Sequence, residues 1–483
     1  MGSGQVTDWQ GKHVTVAGLG VSGVPAAKVL HGLGAKVTVV NDGDDARARE
    51  QAEELEALGV TVRLGDGTAS DSGSAAGLPD GTELIVTAPG WKPDKPLFTA
   101  ADEAGVPVWG DVELAWRLRK PGAAPWLAVT GTNGKTTTVQ MLASILRAAG
   151  LRTAAVGNIG VSLLDVVLGE EEYDVLAVEL SSYQLHRAPS LRAHSAAVLN
   201  LAPDHLDWHG SMEAYAADKG RVYEGNRVAC VYNADATGKP STEDLVREAD
   251  VEEGCRAVGF TLGTPGPSQL GVVEGLLVDR AFVENRQKNA QELAEVSDVR
   301  PPAPHNVANA LAAAALARAY GVPASAVRDG LRAFTPDAHR IAHVADLDGV
   351  AYVDDSKATN THAAQASLAA YESIVWIAGG LAKGATFDEL VAGSAKRLRG
   401  AVLIGRDRAL IREALARHAP EVPVVDLDRT DTGAMLQAVQ EAKRLARPGD
   451  TVLLAPACAS MDMFTNYDKR GDAFAQAVRE LGA

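Results

Sequence analysis

The segment WLAVTGTNGKTTT carries the clearest chemistry in this chain. Gly131, Thr132, Asn133, Gly134, Lys135, Thr136 and Thr137 lie there between an apolar strand pattern and the helix pattern VQMLASILRAAG. Successive backbone N–H groups in such a loop can wrap phosphates, Lys135 can set a point charge at the β and γ phosphates, and a threonine hydroxyl can reach magnesium. Val129 stands where the GxxxxGK[ST] pattern has its first glycine, so the loop is shorter than in Ras-like or motor NTPases. A second glycine cluster, Gly18, Gly20 and Gly23 in VAGLGVSG, follows a predicted strand and precedes a helix pattern, with Asp42 after the next strand. These glycines either bring a nucleotide diphosphate to a helix N-terminus, with the acid on a ribose hydroxyl, or serve strand–helix packing alone.

Acids and histidines recur at predicted strand ends, which border the ligand in an open parallel sheet. Glu179 closes DVLAVEL, and Asp204, His205 and Asp207 follow the strand in LNLAPDHLDWHG. Oxygen and imidazole donors suit a magnesium ion shared with phosphates and water; taken singly, each residue also fits a cap or a solvated loop. Lys219 in YAADKGRVYEG reads from periodicity as a solvated helix cation. His305, Asn306 and Asn309, near the start of HNVANALAAAALARAY, either meet a nucleotide or cap their helix. Arg340, Lys357 and Lys383 sit beside strand ends or glycine turns and suit carboxylate or phosphate recognition. Asp355, Thr359, Asn360 and Ser460 occupy similar places, and each alone also fits a surface or N-cap position.

The elements that must position these groups are short β-branched runs alternating with Ala/Leu-rich helical stretches, from HVTVAG to TVLLAPA. That alternation predicts an α/β fold of parallel strands with crossover helices. At 483 residues, and roughly 150 per domain, about three units are expected. Pro and Gly interrupt the pattern at KPGAAP and FTPDAH, placing the units at 1–120, 121–335 and 336–483. GTPGPSQLGVVEGLLVDRAFV, residues 263–283, reads as a turn-rich insertion with a hairpin.

Composition narrows the function classes. The 46% hydrophobic content and the lack of any long apolar run argue against an integral membrane protein and against disorder. A net charge of -16 argues against nonspecific nucleic-acid binding. Cys230, Cys255 and Cys458 are few, odd in number and far apart, so neither a disulfide framework nor a CxxC zinc site is expected. With no secretory pattern at the N-terminus, a cytoplasmic protein is expected.

Taken together, GLGVSG, GTNGKTT, VDDSKATNTHA and PACASMDMFTNYDKRG resemble the Mur ligase family of peptidoglycan synthesis, from Gly18 to Phe474, and within it the branch that adds D-glutamate. The resemblance implies a Rossmann-like N-terminal domain for a UDP-sugar, a central P-loop ATPase domain and a mobile Rossmann-like C-terminal domain. It implies ATP and magnesium, UDP-N-acetylmuramoyl-L-alanine and D-glutamate as substrates, and a monomer with no nucleic-acid or membrane partner. Leu19, Gly20, Val21, Ser22, Asp42, Pro89 and Gly90 would take the UDP-sugar, with Asn158 and His205 on the same substrate. The 131–137 loop with Asn306, Asn309, Arg340, Asp355 and Lys357 would take ATP, and Thr359, Lys383, Ser460, Met461 and Tyr467 the D-glutamate. Thr136, Glu179 and His205 would hold magnesium. Lys219 would correspond to a lysine carbamylated in the family, a role its helical spacing does not suggest. Lys135, His205, Lys219, Asp355 and Lys357 would be the catalytic set. The family often has phenylalanine at the position of Tyr467, and the 263–283 insertion is longer than the resemblance implies. The within-family alternatives are another Mur ligase or a folylpolyglutamate synthetase. An NAD-dependent oxidoreductase is a rival built on the GxGxxG, and a regulatory NTPase one built on GKT alone; the first leaves GTNGKT unexplained.

Overall fold

The β-branched runs form strands in three sheets. In the computed structural model, which describes residues 8–65, 77–429 and 431–482, the first sheet holds β1 (His13–Ala17), β2 (Lys36–Asn41), β3 (Thr61–Leu64), β4 (Leu84–Thr87) and β5 (Val108–Gly110). All pair in parallel in the order β3-β2-β1-β4-β5. The direction of winding reverses between β1 and β4, so the loops after these two strands face a common crevice. Residues 1–7, the start of the N-terminal segment that lacks a secretory pattern in sequence, lie outside the described residues.

The second sheet comprises β6 (Trp126–Thr130), β7 (Thr153–Gly157), β8 (Val175–Glu179), β9 (Ser195–Val198), β10 (Ala229–Asn233), β11 (Arg256–Phe260), β12 (Gln269–Val273), β13 (Leu276–Asp279) and β14 (Gln291–Glu295). Their order is β14-β13-β12-β11-β10-β9-β6-β8-β7. β6, β8 and β9 are buried along their whole length, as strands covered on both faces must be. The hairpin expected within 263–283 is β12–β13, antiparallel, with Val273 opposite Leu276. Glu274 and Gly275 both have positive φ, 49° and 81°, the two-residue turn whose twist matches its strands. β12 pairs in parallel with β11, so the insertion widens the central sheet.

The third sheet contains β15 (Ala342–Leu347), β16 (Val350–Asp354), β17 (Ile374–Gly379), β18 (Leu398–Ile404), β19 (Val424–Asp426) and β20 (Thr451–Leu454), in the order β15-β16-β20-β17-β18-β19. Only β15 runs antiparallel to its neighbour.

The chain packs as two compact units, Met1–Asp298 with Ala308–Phe334, and Val299–Val307 with Thr335–Ala483. The break expected at 120/121 separates two sheets but not two units. One continuous core runs from Val14, Val39 and Val86 of the first sheet to Ala128, Val178 and Ala196 of the second. Trp116 meets Trp126 edge-on at 4.9 Å across the KPGAAP segment, with the Arg119 guanidinium 3.2 Å above the Trp116 ring. Parting the two sheets here would expose the fully buried Trp126 ring to water, which opposes their separation.

Candidate active site

The phosphate loop is built from β6 and the helix Lys135–Ala148. Gly134, the residue before the helix, has φ +84°, and a Cβ there would stand 2.4 Å from the Asn309 Oδ1. Only glycine fits. The helix is set by close packing on the helix Ala324–Ala333, where a Cβ on Gly330 would reach the Ile145 backbone at 2.4 Å and Ser144 Oγ donates to Gly330 O. Its first-turn N–H groups have no intrahelical acceptor, which makes this end a place for anions.

The loop itself is held from behind by Asn200, just past β9. Asn133 N donates to Asn200 Oδ1 at 2.9 Å, Asn200 Nδ2 returns a bond to Asn133 O, and Thr132 N donates to Asn200 O. Two N–H groups expected to wrap phosphate therefore point to Asn200. The Thr132 hydroxyl is likewise held by Ala202 and by the Tyr215 hydroxyl at 3.0 Å. The Lys135 ammonium arches over the loop, donating to Gly131 O and Thr132 O at 2.9 Å each.

Glu179 ends β8 almost fully buried. Its Oε1 accepts from Asn158 Nδ2 at 3.0 Å, while its buried Oε2 has no hydrogen-bond partner. A carboxylate oxygen left so is costly unless a cation completes it. A Cβ on Gly157 would lie 2.2 Å from Glu179 O, so the turn that delivers Asn158 to this acid also requires glycine. The Asn158 amide, expected on the sugar–peptide substrate, thus binds Glu179.

Lys219 is 2% exposed, the reverse of the solvated cation its periodicity suggests. Its Nζ donates to Gly131 O at 2.9 Å and lies 4.6 Å from the centre of the Tyr215 ring. Burial, and then the neighbouring Lys135 charge, hold the ammonium well below its ordinary pKa, against the pull of Asp204 and Glu179. A neutral amine is the form that takes up CO2. His205 sits in a left-handed conformation, φ 54°, with its ring 5.0 Å from that of Tyr183. Burial lowers its pKa, Asp204 opposes this, and Lys219 and Lys135 add to it, which favours the neutral imidazole a metal needs. No group of three or more His, Cys, Asp or Glu among the described residues could cage a metal ion alone. One open carboxylate oxygen, one imidazole and a threonine on a phosphate loop do fit magnesium, which keeps waters and takes phosphate oxygens.

In the glycine loop after β1, Gly18 (φ +96°) has Trp91 Nε1 2.6 Å from its Cβ position, and a Cβ on Gly23 would overlap Gly18 O at 1.8 Å. Both are packing requirements, whereas Gly20 is open. Val21 is 84% exposed beside it. Leu19 N donates to Asn41 Oδ1, and the Ser22 hydroxyl to Asp111 Oδ2 at 3.1 Å. Asp42, expected on a ribose, is paired with Lys95, whose ammonium stands 5.0 Å from the Trp91 ring centre. Pro89 and Gly90 lie in the turn after β4, on the same edge of the sheet.

In the other unit, Asp355 is buried at the end of β16 and accepts from the Ser367 hydroxyl and from Ile341 N. Burial raises its pKa to about 6. It therefore fixes the backbone beside Arg340. Lys357 lies 3.8 Å above the Tyr467 ring. Asn360 accepts from Ala363 N and caps the helix Thr361–Ala369. Ser460 is buried and Met461 is 71% exposed; Lys383 has φ 50° in the turn after β17. Asn306 Nδ2 donates to Pro301 O. Sequence reasoning missed Arg470, 1% exposed, which donates from Nε to Ser356 Oγ, from Nη1 to Cys458 O and from Nη2 to Ser356 O. It locks the Asp355–Lys357 turn to the loop carrying Ser460 and Met461. Its only signal was a basic residue in YDKRG. Asn200, Asp111 and Tyr215 were missed as well, for want of any local pattern.

Residues 129–317 match the family described as "Mur ligase middle domain", 339–458 that described as "Mur ligase, glutamate ligase domain", and 13–84 "Pyridine nucleotide-disulphide oxidoreductase". A protein of Streptomyces coelicolor named UDP-N-acetylmuramoylalanine–D-glutamate ligase is 87% identical over 99% of this chain and 100% of its own. One of the same name from Thermobifida fusca is 59% identical over 98% and 99%. Among solved structures, the UDP-N-acetylmuramate-alanine ligase MurC of Thermotoga maritima shares the fold, with TM-score 0.53, 18% identity and coverage of 97% and 99%. The MurF ligase of the same organism in complex with ADP does so with TM-score 0.54, 15% identity and coverage of 98% and 96%. With relatives this similar along nearly its whole length, the chain belongs to the Mur ligase family, in its group of UDP-N-acetylmuramoylalanine–D-glutamate ligases.

Proposed function

We propose that this chain is an ATP-dependent ligase that joins D-glutamate to UDP-N-acetylmuramoyl-L-alanine through an acyl phosphate, in peptidoglycan precursor synthesis. The observation that carries the reading is the phosphate loop with the open Glu179 oxygen and the buried Lys219 amine beside it. The names of the relatives supply the substrates. Residues 1–120 would hold the UDP-sugar through Leu19, Gly20, Val21, Ser22, Asp42, Pro89 and Gly90, with Asn158 and His205 near its peptide end. Residues 121–335 would hold ATP on the 131–137 loop, with Asn306 and Asn309 on the nucleotide. Residues 336–483 would add Arg340, Asp355 and Lys357 to the ATP site and take D-glutamate through Thr359, Lys383, Ser460, Met461 and Tyr467.

The obstacle is charge, because a carboxylate must attack an already anionic phosphoryl group. Lys135 and the N-terminus of its helix offset the γ phosphate as the substrate carboxylate attacks phosphorus and ADP leaves. The D-glutamate amine then attacks the acyl carbon, and phosphate leaves as the amide forms. Thr136, Glu179 and His205 would hold magnesium, which when bound neutralises phosphate charge. CO2 added to neutral Lys219 would release a proton and leave a carbamate, turning a neutral amine into an anionic oxygen donor. The enzyme would act in the cytoplasm as a monomer, where ATP and nucleotide-activated sugars are made; among the described residues no helix is long and apolar enough to cross a membrane.

Phosphate release with UDP-N-acetylmuramoyl-L-alanine present tests the reading, comparing D-glutamate, L-glutamate and meso-diaminopimelate as acceptors. Release with D-glutamate alone is expected; release indifferent to the acceptor refutes it. The match over 13–84 favours, for the first sheet only, an oxidoreductase-type nucleotide fold. Tight binding of NADH, followed by fluorescence, would support that second reading.

A further inference from the structure

Ser182, His209 and Asp218 form a hydrogen-bonded chain that the reaction as described does not use. Ser182 Oγ donates to His209 Nε2 at 2.9 Å, and His209 Nδ1 donates to Asp218 Oδ2 at 2.9 Å. Because the carboxylate can only accept, the proton sits on Nδ1 and Nε2 is left to receive the serine hydroxyl. The same three residue types in the same order activate the nucleophile of many hydrolases. Burial rules that out here, since Ser182 is 2% exposed and the His209 side chain 0%.

Its meaning lies in where the three residues stand. Ser182 opens the helix Ser182–His186, three residues after Glu179. His209 closes the helix Leu206–His209, four residues after His205. Asp218 immediately precedes Lys219 in the helix Met212–Gly220. One imidazole therefore joins the three segments that carry the acid, the histidine and the lysine of the candidate metal site. Two of those helices have five and four residues, too short to hold a geometry by themselves. His205 caps its short helix in a left-handed backbone, its carbonyl accepting from Trp208 N at 3.0 Å and His209 N at 3.1 Å, so its place follows that of His209. Further contacts tighten the joint: Tyr183 stacks parallel on His209 at 5.5 Å, and Asp218 also accepts from His186 Nδ1 at 2.9 Å and Arg221 Nε at 3.1 Å.

We propose that Ser182–His209–Asp218 is a brace that sets the mutual spacing of Glu179, His205 and Lys219, which makes His209 a positioning residue for the magnesium site. The proposal rests on the reading that those three residues surround the metal. Metal affinity depends on such outer partners because donors that wander cannot be in place together.

Mn2+ binding to the full-length protein with ADP present, read by electron paramagnetic resonance, tests this without requiring turnover. His209→Phe keeps the ring against Tyr183 and removes both hydrogen bonds. It is expected to weaken Mn2+ binding by about tenfold or more and to lower kcat in parallel, leaving KM for the UDP-sugar within about twofold. His209→Asn, which can keep the donor toward Asp218, should recover part of both. Glu179→Gln is measured alongside. If it weakens Mn2+ binding while His209→Phe does not, the brace is overturned and the metal-site reading stands. If Glu179→Gln leaves Mn2+ binding intact, that reading falls and the brace falls with it. Should His209→Phe fail to fold, Ser182→Ala decides by the same measurement: weaker Mn2+ binding supports the brace, and unchanged binding overturns it.

Discussion

Replacing Gly134 by alanine should raise KM for ATP steeply while leaving the fold intact. Gly134 holds φ +84° where the phosphate loop enters its helix. An L-residue in the left-handed region costs about 1 to 2 kcal/mol. The new methyl would also lie 2.4 Å from Asn309 Oδ1, well inside contact distance. Asn309 is 6% exposed, so its amide has little room to withdraw. Forcing a side chain off its rotamer adds roughly 1 kcal/mol. The sum, about 2 to 3 kcal/mol, corresponds to roughly a 30- to 150-fold rise in KM if the loop must take this shape to bind nucleotide. Phosphate release as a function of ATP concentration measures it, with UDP-N-acetylmuramoyl-L-alanine and D-glutamate saturating. Gly150→Ala is the control for backbone strain alone: its φ is +80°, nothing lies within 4 Å of its Cβ position, and it follows the far end of the same helix. It should lower the melting temperature and leave KM unchanged. In an Asn309→Ala background the Gly134→Ala effect should shrink by about 1 kcal/mol, as groups in direct contact couple. A KM within about threefold of the parent would refute the argument, because strain of about 1 kcal/mol alone exceeds it.

Other perturbations have equally definite outcomes. Arg470→Met leaves the Cys458 and Ser356 carbonyls without their donor in the interior and should destabilise its unit by about 2 to 4 kcal/mol, read as faster amide hydrogen exchange across residues 335–482; unchanged exchange contradicts the clamp. Asp355 is raised by burial from 3.8 to about 6, so from pH 4 to 6 the unfolded chain ionises while the folded one stays protonated, and folding loses stability as pH rises. Asp355→Asn removes this term and should gain on the parent through that window by up to roughly 3 kcal/mol, then run level above it; parallel melting curves from pH 4 to 8 would dismiss the burial argument. Glu179→Gln should raise the magnesium concentration needed for half-maximal turnover, and an unaltered requirement would remove Glu179 from the metal.

What could be read from the sequence was local. Strand, glycine loop and helix follow one another within a few residues at GTNGKT, so the fold class and this strand–loop–helix unit were legible there. The residues that aim those groups were not, because their partners are remote: Asn133 meets Asn200, Ser22 meets Asp111, and Arg470 meets Ser356, at separations of 67, 89 and 114. Lys219 was misread from periodicity for a related reason. Helical spacing tells which face a side chain occupies, not that the Gly131 carbonyl will close over it. Nor does anything local show that Asp42 pairs with Lys95, the N-cap of the distant helix Pro96–Ala104. The break at KPGAAP was visible as composition, but Trp116 and Trp126 on either side of it pack together, and only their contact reveals that the sheets are joined.

That joint has a consequence for which molecules can react. Two sheets sharing one interior are joined like the jaws of a caliper: changing the span between the glycine loop after β1 and the loop after β6 would expose the apolar side chains packed between them. If the glycine loop holds the diphosphate as proposed, a precursor would present its carboxylate at the other jaw only when the intervening sugar and amino acid have the matching reach. On this reading the enzyme measures the growth stage of its donor by length, before any side chain inspects its identity.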